Sequence, residues 1–319
     1  MKIVITDSGF ANNIPETAAI TDAGFELVSA QCKTAEDVIN AAGDADGIIV
    51  QWAPITATVI NNLTRCKVIV RYGIGVDNVD LAAATQKGIP VCNVPDYCID
   101  EVADHTVALA LAHARQLFQI DVRTRAGVWR IYPDKPMPSF REMTFATAGY
   151  GRIARAVLDR ARIFGFKLAA HDPYETLPSD SVVSLSLDEL FRQADILSLH
   201  APLSPETKHL VNAGRLAQMK PTAIVVNTAR GGLIDTAALA QALQAGTIAA
   251  AGLDVFESEP LEKDHPLRKC PNAILTSHVA WFSATSVPRL QRLAAQEAVR
   301  ALLGKPLRSP VNKLPRVSI

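Results

Sequence analysis

The sequence predicts an α/β protein built from two doubly wound parallel-sheet domains, and three observations predict it. Short runs that are apolar at nearly every position, such as KIVIT (2–6), GIIVQW (47–52) and AIVVNT (223–228), recur along the chain. Runs of that kind are strands buried on both faces, which implies a parallel sheet covered by helices. Helical stretches lie between the runs, and the rhythm halts at an irregular Pro-rich arm (128–142) before it restarts. A chain of 319 residues is long enough to bury two cores.

Taken in order, the first half offers strands at 2–6, 25–29, 47–52, 67–72 and 89–94, with helices at 34–43 and 79–88 between them. A long helix is expected at 99–119. Asp100 and Glu101 in its first turn suit the positive end of the helix dipole. After the arm come strands at 143–148, 166–171, 195–200, 223–228, 248–255 and 273–277, flanked by helices near 152–164 and 236–245. The last helix, about 284–303, runs into a tail interrupted by prolines.

Composition excludes several classes of function. Lys plus Arg and Asp plus Glu are 32 each, so the net charge is zero and no basic stripe suits a nucleic acid. No apolar run reaches the roughly 18 residues of a membrane span, and the N-terminal run is too short for a signal peptide. The five cysteines form no CxxC pair and are odd in number. That argues against a disulfide framework or a zinc site, and for a reducing compartment such as the cytoplasm.

TAGYGRIARAV (147–157) follows a strand and opens a helix. Its pattern is Gly149-x-Gly151-x-x-Ala154. The first glycine permits a tight turn, the second lets backbone approach a pyrophosphate, and the small third residue allows close helix–sheet packing. The phosphates would sit on the free N–H groups of the helix N-terminus. Asp172 ends the next strand, 21 residues after Gly151, where a carboxylate accepts hydrogen bonds from ribose hydroxyls. It also repels a 2′-phosphate, and no arginine follows before Arg192, which favours NAD over NADP.

In open parallel sheets ligands bind beyond the carboxyl ends of the strands. The polar residues just past those ends in the second half are Asp172, His200, Arg230, Asp254 with Glu259, and His278. Arg230 breaks an apolar run in VVNTARGGLID (225–235), and such a cation calls for an anionic partner.

With these residues in view, the chain resembles the NAD-dependent D-2-hydroxyacid dehydrogenase family. The resemblance rests on TAGYGRIARAV, LHAPLSPETKHLVN (199–212), VVNTARGGLIDTAAL (225–239), GLDVFESEP (252–260) and LTSHVAW (275–281). RYGIGVDNVDL (71–81) and VPDYCIDEVADHTVALAL (94–111) in the first half add to it. It covers nearly the whole chain and implies a flavodoxin-like substrate domain and a Rossmann NAD domain.

The resemblance assigns roles. Arg230 matches the arginine that holds a 2-oxo acid and polarises its carbonyl, a task suited to a planar fork. His278 matches the histidine that exchanges a proton at the carbonyl oxygen. Glu259 matches the glutamate beside that histidine. Glu257 competes for the part, and only the family's habit of placing the glutamate before a proline favours Glu259. Asp254 matches a contact to the nicotinamide amide, although capping its turn is an equally compatible role. Thr228, Ala229 and Arg230 would line the nicotinamide side. Gly149, Gly151, Arg152 and Ile153 would hold the pyrophosphate, and Pro202 and Thr207 belong to a loop passing the cofactor. His200 reads as a structural histidine of that loop. Ile74 and Gly75 would offer backbone N–H groups to the substrate carboxylate, so that both domains would share it and closure would exclude water.

Two departures from the family pattern stand out. Ala154 replaces the third glycine, and bulky Trp281 and Phe282 follow His278. Those rings are expected to narrow the pocket against a phosphorylated substrate. The domains are expected at 1–98 plus 285–319 for substrate and 99–284 for NAD. The helix and arm after residue 98 resemble the family's dimer-forming segment, which implies a homodimer. The expected partner is a small 2-oxo or 2-hydroxy acid such as glyoxylate or hydroxypyruvate, with 3-phosphoglycerate second, and neither a nucleic acid nor a membrane. The rival readings are an NAD(H)-sensing corepressor-like scaffold, and a phosphite or formate oxidase with Arg71 as its substrate-side cation.

Overall fold

The computed structural model describes residues 1–132, 136–177 and 180–314. Part of the arm (133–135) and the end of the tail (315–319) thus lie outside the described residues. The chain divides into two compact units, Met1–Cys98 with the chain from Phe282 onward, and Ile99–Trp281.

The first unit alternates β1 (Lys2–Ile5), α1 (Ile14–Thr21), β2 (Glu26–Ser29), α2 (Ala35–Ala42), β3 (Gly47–Val50), α3 (Ala57–Asn62), β4 (Ile69–Arg71), α4 (Leu81–Gln86) and β5 (Val91–Cys92). The five strands are all parallel, in the order β2-β1-β3-β4-β5. Ile3 faces Leu27 on one side and Gly47 on the other. The helices start where side chains satisfy their free N–H groups. Thr34 and Asp37 form a capping box on α2, and Asp80 accepts from Ala83 N–H at the start of α4. Val4, Ile48, Val50 and Ile69 are fully buried in one core layer with Val38, Val59 and Ile60 of the helices.

The second unit runs α5 (Ile99–Ala114), α6 (Leu117–Arg125), β6 (Thr144–Ala148), α7 (Arg152–Ile163), β7 (Lys167–His171), β8 (Val183–Ser184), α8 (Leu187–Gln193), β9 (Ile196–Leu199), α9 (Ala213–Leu216), β10 (Ile224–Asn227), α10 (Thr236–Ala245), β11 (Ala250–Leu253) and β12 (Ala273–Leu275). Its seven strands are parallel in the order β12-β11-β10-β9-β6-β7-β8. One face buries Leu197, Val225 and Ala251 against Phe191 and Leu239, and the other buries Phe145, Ile196 and Val226 against Val107 and Val157. The chain returns to the first unit in α11 (Ser286–Leu302).

The two parallel α/β sheets are the architecture the apolar runs imply, and the details depart in places. The helix expected at 99–119 breaks at Gln116, whose φ of 53° is left-handed and cannot continue a right-handed helix. β8 has two exposed residues at the sheet edge, too short for a hydrophobic run to announce it. α8 is a further helix that the apolar spacing does not announce, although Ser186 and Glu189 form a capping box legible as Ser-x-x-Glu.

Candidate active site

Because the strands of the second unit all run the same way, the residues past their carboxyl ends line one edge of its sheet. Gly149 follows β6, Asp172 follows β7, His200 follows β9, Arg230 lies beyond β10, Asp254 follows β11 and His278 lies beyond β12. The chain winds from β6 through β7 to β8, then crosses to β9 on the other side of β6. The β6–β9 border is therefore the topological switch point, where such sheets open a crevice for ligands.

Gly149 stands at that border with φ 103°, and an added Cβ would come within 2.8 Å of the His200 carbonyl. Both facts demand glycine. Gly151 caps α7 without a side-chain bond, and no atom lies within 4 Å of where its Cβ would be. The first-turn N–H groups of Arg152 and Ile153 thus have neither a side-chain cap nor bulk in front of them. A dinucleotide pyrophosphate fits that turn. Asp172 is pinned beside it. Its Oδ2 accepts from Tyr150 N–H at 2.7 Å, and its Oδ1 accepts from Tyr174 and Glu175 N–H at 2.9 and 3.2 Å. Oδ2, with one bond, keeps capacity for a ribose hydroxyl. An arginine does approach this turn, from upstream of Asp172 rather than downstream. Arg155 reaches forward from α7 and pairs with Glu175 at 2.6 Å.

His278 has φ 56°, a left-handed conformation uncommon outside glycine, and its surroundings hold it there. Asp254 does the holding. Its buried carboxylate accepts from Thr276 Oγ1 and from Val279 and Ala280 N–H at 2.5, 3.0 and 2.9 Å, and its carbonyl accepts from His278 N–H at 2.8 Å. Asp254 therefore caps the turn. Trp281 Nε1 donates to the His278 carbonyl at 2.9 Å from the far side.

Glu259 Oε2 meets His278 Nδ1 at 2.6 Å, while Oε1 accepts from Phe256 N–H at 3.0 Å. Burial pushes the Glu259 carboxyl up. The bonds from His278 and Phe256, with the charges of His278 and Arg230, outweigh burial and hold it below the ordinary carboxylate value. Arg230 Nη1 donates to the Ala229 carbonyl at 2.7 Å. Its turn is packed against the Glu259 loop so closely that a Cβ on Gly231 would overlap the Phe256 carbonyl and the Glu257 nitrogen. Glu257, which residue type could not separate from Glu259, goes elsewhere. Its Oε1 meets His209 Nε2 at 2.6 Å and its Oε2 accepts from Thr236 N–H and Oγ1 at 3.0 and 2.6 Å.

The remaining expected residues divide. Thr106 Oγ1 donates to the Val102 carbonyl, so the buried Thr228 hydroxyl donates to Thr106 Oγ1 at 2.7 Å. Ala229 N–H is held by Asn227 Oδ1. Thr207 Oγ1 donates to the Pro202 carbonyl at 2.6 Å and accepts from Ser204 N–H, closing the 202–207 turn on itself. His200 Nε2 meets Ser198 Oγ at 2.8 Å, and burial pushes its imidazole down to about 4, so it is neutral near neutral pH. Ile74 and Gly75 belong to the first unit, beyond β4. Asn93 Nδ2 donates to the Ile74 carbonyl, and the two N–H groups meet no acceptor among the described residues. The described residues contain no group of three or more His, Cys, Asp or Glu side chains able to hold a metal ion, and none of their helices is long and apolar enough to cross a membrane.

Residues 107–280 match the family described as D-isomer specific 2-hydroxyacid dehydrogenase, NAD binding domain. The chain is 37% identical to the D-3-phosphoglycerate dehydrogenase of Methanocaldococcus jannaschii over 98% of its own length and 59% of that protein's. It is 37% identical to the glyoxylate reductase of Thermofilum pendens, over 87% of this chain and 84% of that one. Among solved structures, the TT0316 protein of Thermus thermophilus superposes with a TM-score of 0.87 at 35% identity, covering 98% of this chain and 100% of that one. The chain thus spans little more than half of the phosphoglycerate dehydrogenase and most of the glyoxylate reductase.

Proposed function

We propose that this chain, which belongs to the D-isomer specific 2-hydroxyacid dehydrogenase family, transfers a hydride between NAD(H) and a small 2-oxo acid and its D-2-hydroxy acid. One observation carries the reading: the 2.6 Å bond between Glu259 Oε2 and His278 Nδ1, on a loop packed against the Arg230 turn. A carboxylate on Nδ1 fixes the tautomer and orients the ring. Nε2, at the tip of the imidazole, is then the nitrogen left to give or take a proton. Glu259 is held ionised and so stabilises the imidazolium when His278 is charged. Arg230 would clamp the substrate carboxylate and draw electron density from the neighbouring carbonyl. When bound, NAD(H) supplies or accepts the hydride. Its pyrophosphate would rest on the first turn of α7 and its ribose on Asp172.

Glyoxylate or hydroxypyruvate is the favoured substrate class, because Trp281 and Phe282 put bulk three and four residues after the histidine. 3-Phosphoglycerate is second, supported by the phosphoglycerate dehydrogenase relative. A panel of 2-oxo acids followed by loss of NADH absorbance tests both points. Brisk turnover of glyoxylate or hydroxypyruvate supports the reading, and NADH binding without turnover of any acid defeats it. A homodimer built on α6 and the arm is part of the same proposal. Leu117, Phe118, Trp129, Ile131 and Tyr132 are exposed there, an apolar surface of the kind that marks association. Light scattering checks it, with monomeric mass as the contrary result. Five free cysteines fit residence in a reducing compartment.

A further inference from the structure

The turn that would hold the ribose contains a cation, and the cation is occupied. Arg155 donates from Nε to the Tyr150 carbonyl at 2.9 Å and from Nη2 to Glu175 Oε2 at 2.6 Å. Its guanidinium also lies over the Tyr150 ring, 4.9 Å from the centroid. Tyr150 N–H in turn donates to Asp172, and Asp172 accepts from Glu175 N–H. Asp172, Glu175, Arg155 and Tyr150 therefore form one hydrogen-bonded patch at the carboxyl end of β7, where the ribose hydroxyls of a dinucleotide would lie.

We propose that Glu175 is a second determinant of cofactor choice, acting by tying up Arg155. The idea rests on the NAD-binding reading of this turn. A 2′-phosphate carries about two negative charges near neutral pH and seeks a planar, multidentate donor. Arg155 is such a donor, two bonds removed from Asp172 through Tyr150. With Glu175 on its outer nitrogen the patch presents two carboxylates against one arginine, which repels the phosphate. Without Glu175 the balance is one against one, and the freed Nη2 can turn toward the 2′ position. The ion pair is half-exposed on both sides, so it does little for folding and its main effect is on what binds.

Adenosine 2′,5′-bisphosphate and AMP, which differ only in the 2′-phosphate, are suitable probes by calorimetry on the full chain. Wild-type protein should bind AMP and reject the bisphosphate. Glu175→Ala should tighten the bisphosphate by about tenfold or more, the scale of one charge-assisted hydrogen bond, with AMP changed little. Glu175→Gln should move it the same way by less, and Arg155→Ala added to Glu175→Ala should abolish the gain. An unchanged ratio of the two affinities in Glu175→Ala, or a gain that survives removal of Arg155, overturns the proposal while leaving the cofactor site standing. Failure of every variant and of wild type to bind AMP overturns the cofactor reading itself, and this inference with it. NADPH turnover gives an independent readout in the same variants.

Discussion

Two histidine–glutamate pairs share one loop. Glu257 and Glu259 sit two residues apart, and each meets an imidazole at 2.6 Å, His209 and His278 respectively. Both histidines are left-handed, with φ of 50° and 56°. Their side chains are similarly exposed, at 38% and 44%. What differs is the nitrogen engaged. Glu257 takes Nε2 of His209 and leaves Nδ1, which lies close to its own backbone. Glu259 takes Nδ1 of His278 and leaves Nε2, which projects. Glu257 is also anchored at its other oxygen by the first residue of α10. On the proposed reading the same bond would make a structural clasp in one place and a usable acid or base in the other, and exposure alone would not tell them apart.

The sharpest way to break this contrast is truncation of each imidazole. His278→Ala should cut kcat by about 10²–10⁴-fold with little change in KM, the usual contribution of a general acid or base. His209→Ala should leave kcat within a few-fold. Steady-state assays with the best 2-oxo acid decide it, and equal losses in the two variants would remove the distinction. Arg230→Ala comes next, raising KM and lowering kcat together by roughly 10–10²-fold as one charged clamp is lost. Wild-type kinetics in that variant would reject the substrate role.

Exchange of each carboxylate for an amide separates the pairs more finely. Glu259→Gln should slow turnover by reducing support for the imidazolium. Glu257→Gln should spare turnover and instead lower thermal stability by on the order of 1 kcal/mol, as the start of α10 loses a charged acceptor. Melting curves and rates on the two proteins should show opposite profiles.

A third glutamate extends the comparison to the first unit and has the smallest expected effect. Burial pushes the Glu16 carboxyl up, and bonds from Tyr72 Oη, its own backbone and Gln291 Nε2 do not reverse it, in contrast to Glu257 and Glu259. A carboxyl raised in the folded state contributes stability that is complete below its ordinary value and is lost as pH rises through the raised one. The Tm of Glu16→Gln relative to wild type should therefore climb as pH rises above the ordinary glutamate value of about 4.3. A pH-independent difference would show that partners offset burial here as well.

The strands were legible because burial on both faces leaves unbroken apolar runs, and the residues beyond their ends followed from the parallel direction. The fingerprint glycines were legible because backbone constraints select residue type locally. What the residues alone left open was pairing at a distance. Nothing in FESEP says which glutamate reaches a histidine 19 residues on and which reaches one 48 residues back. Arg155 escaped notice because α7 carries it forward to Glu175 across 20 residues. The break at Gln116 left no mark, since the apolar spacing of α5 continues through it.

Gly231 closes the distance between the Arg230 turn and the loop bearing Glu257 and Glu259 until backbone touches backbone. With no side chain between them, neither segment has slack to slide against the other. If Arg230 is the substrate clamp and Glu259 with His278 the proton-handling pair, their spacing is fixed by this backbone contact, and a change of substrate would fall on the walls around them.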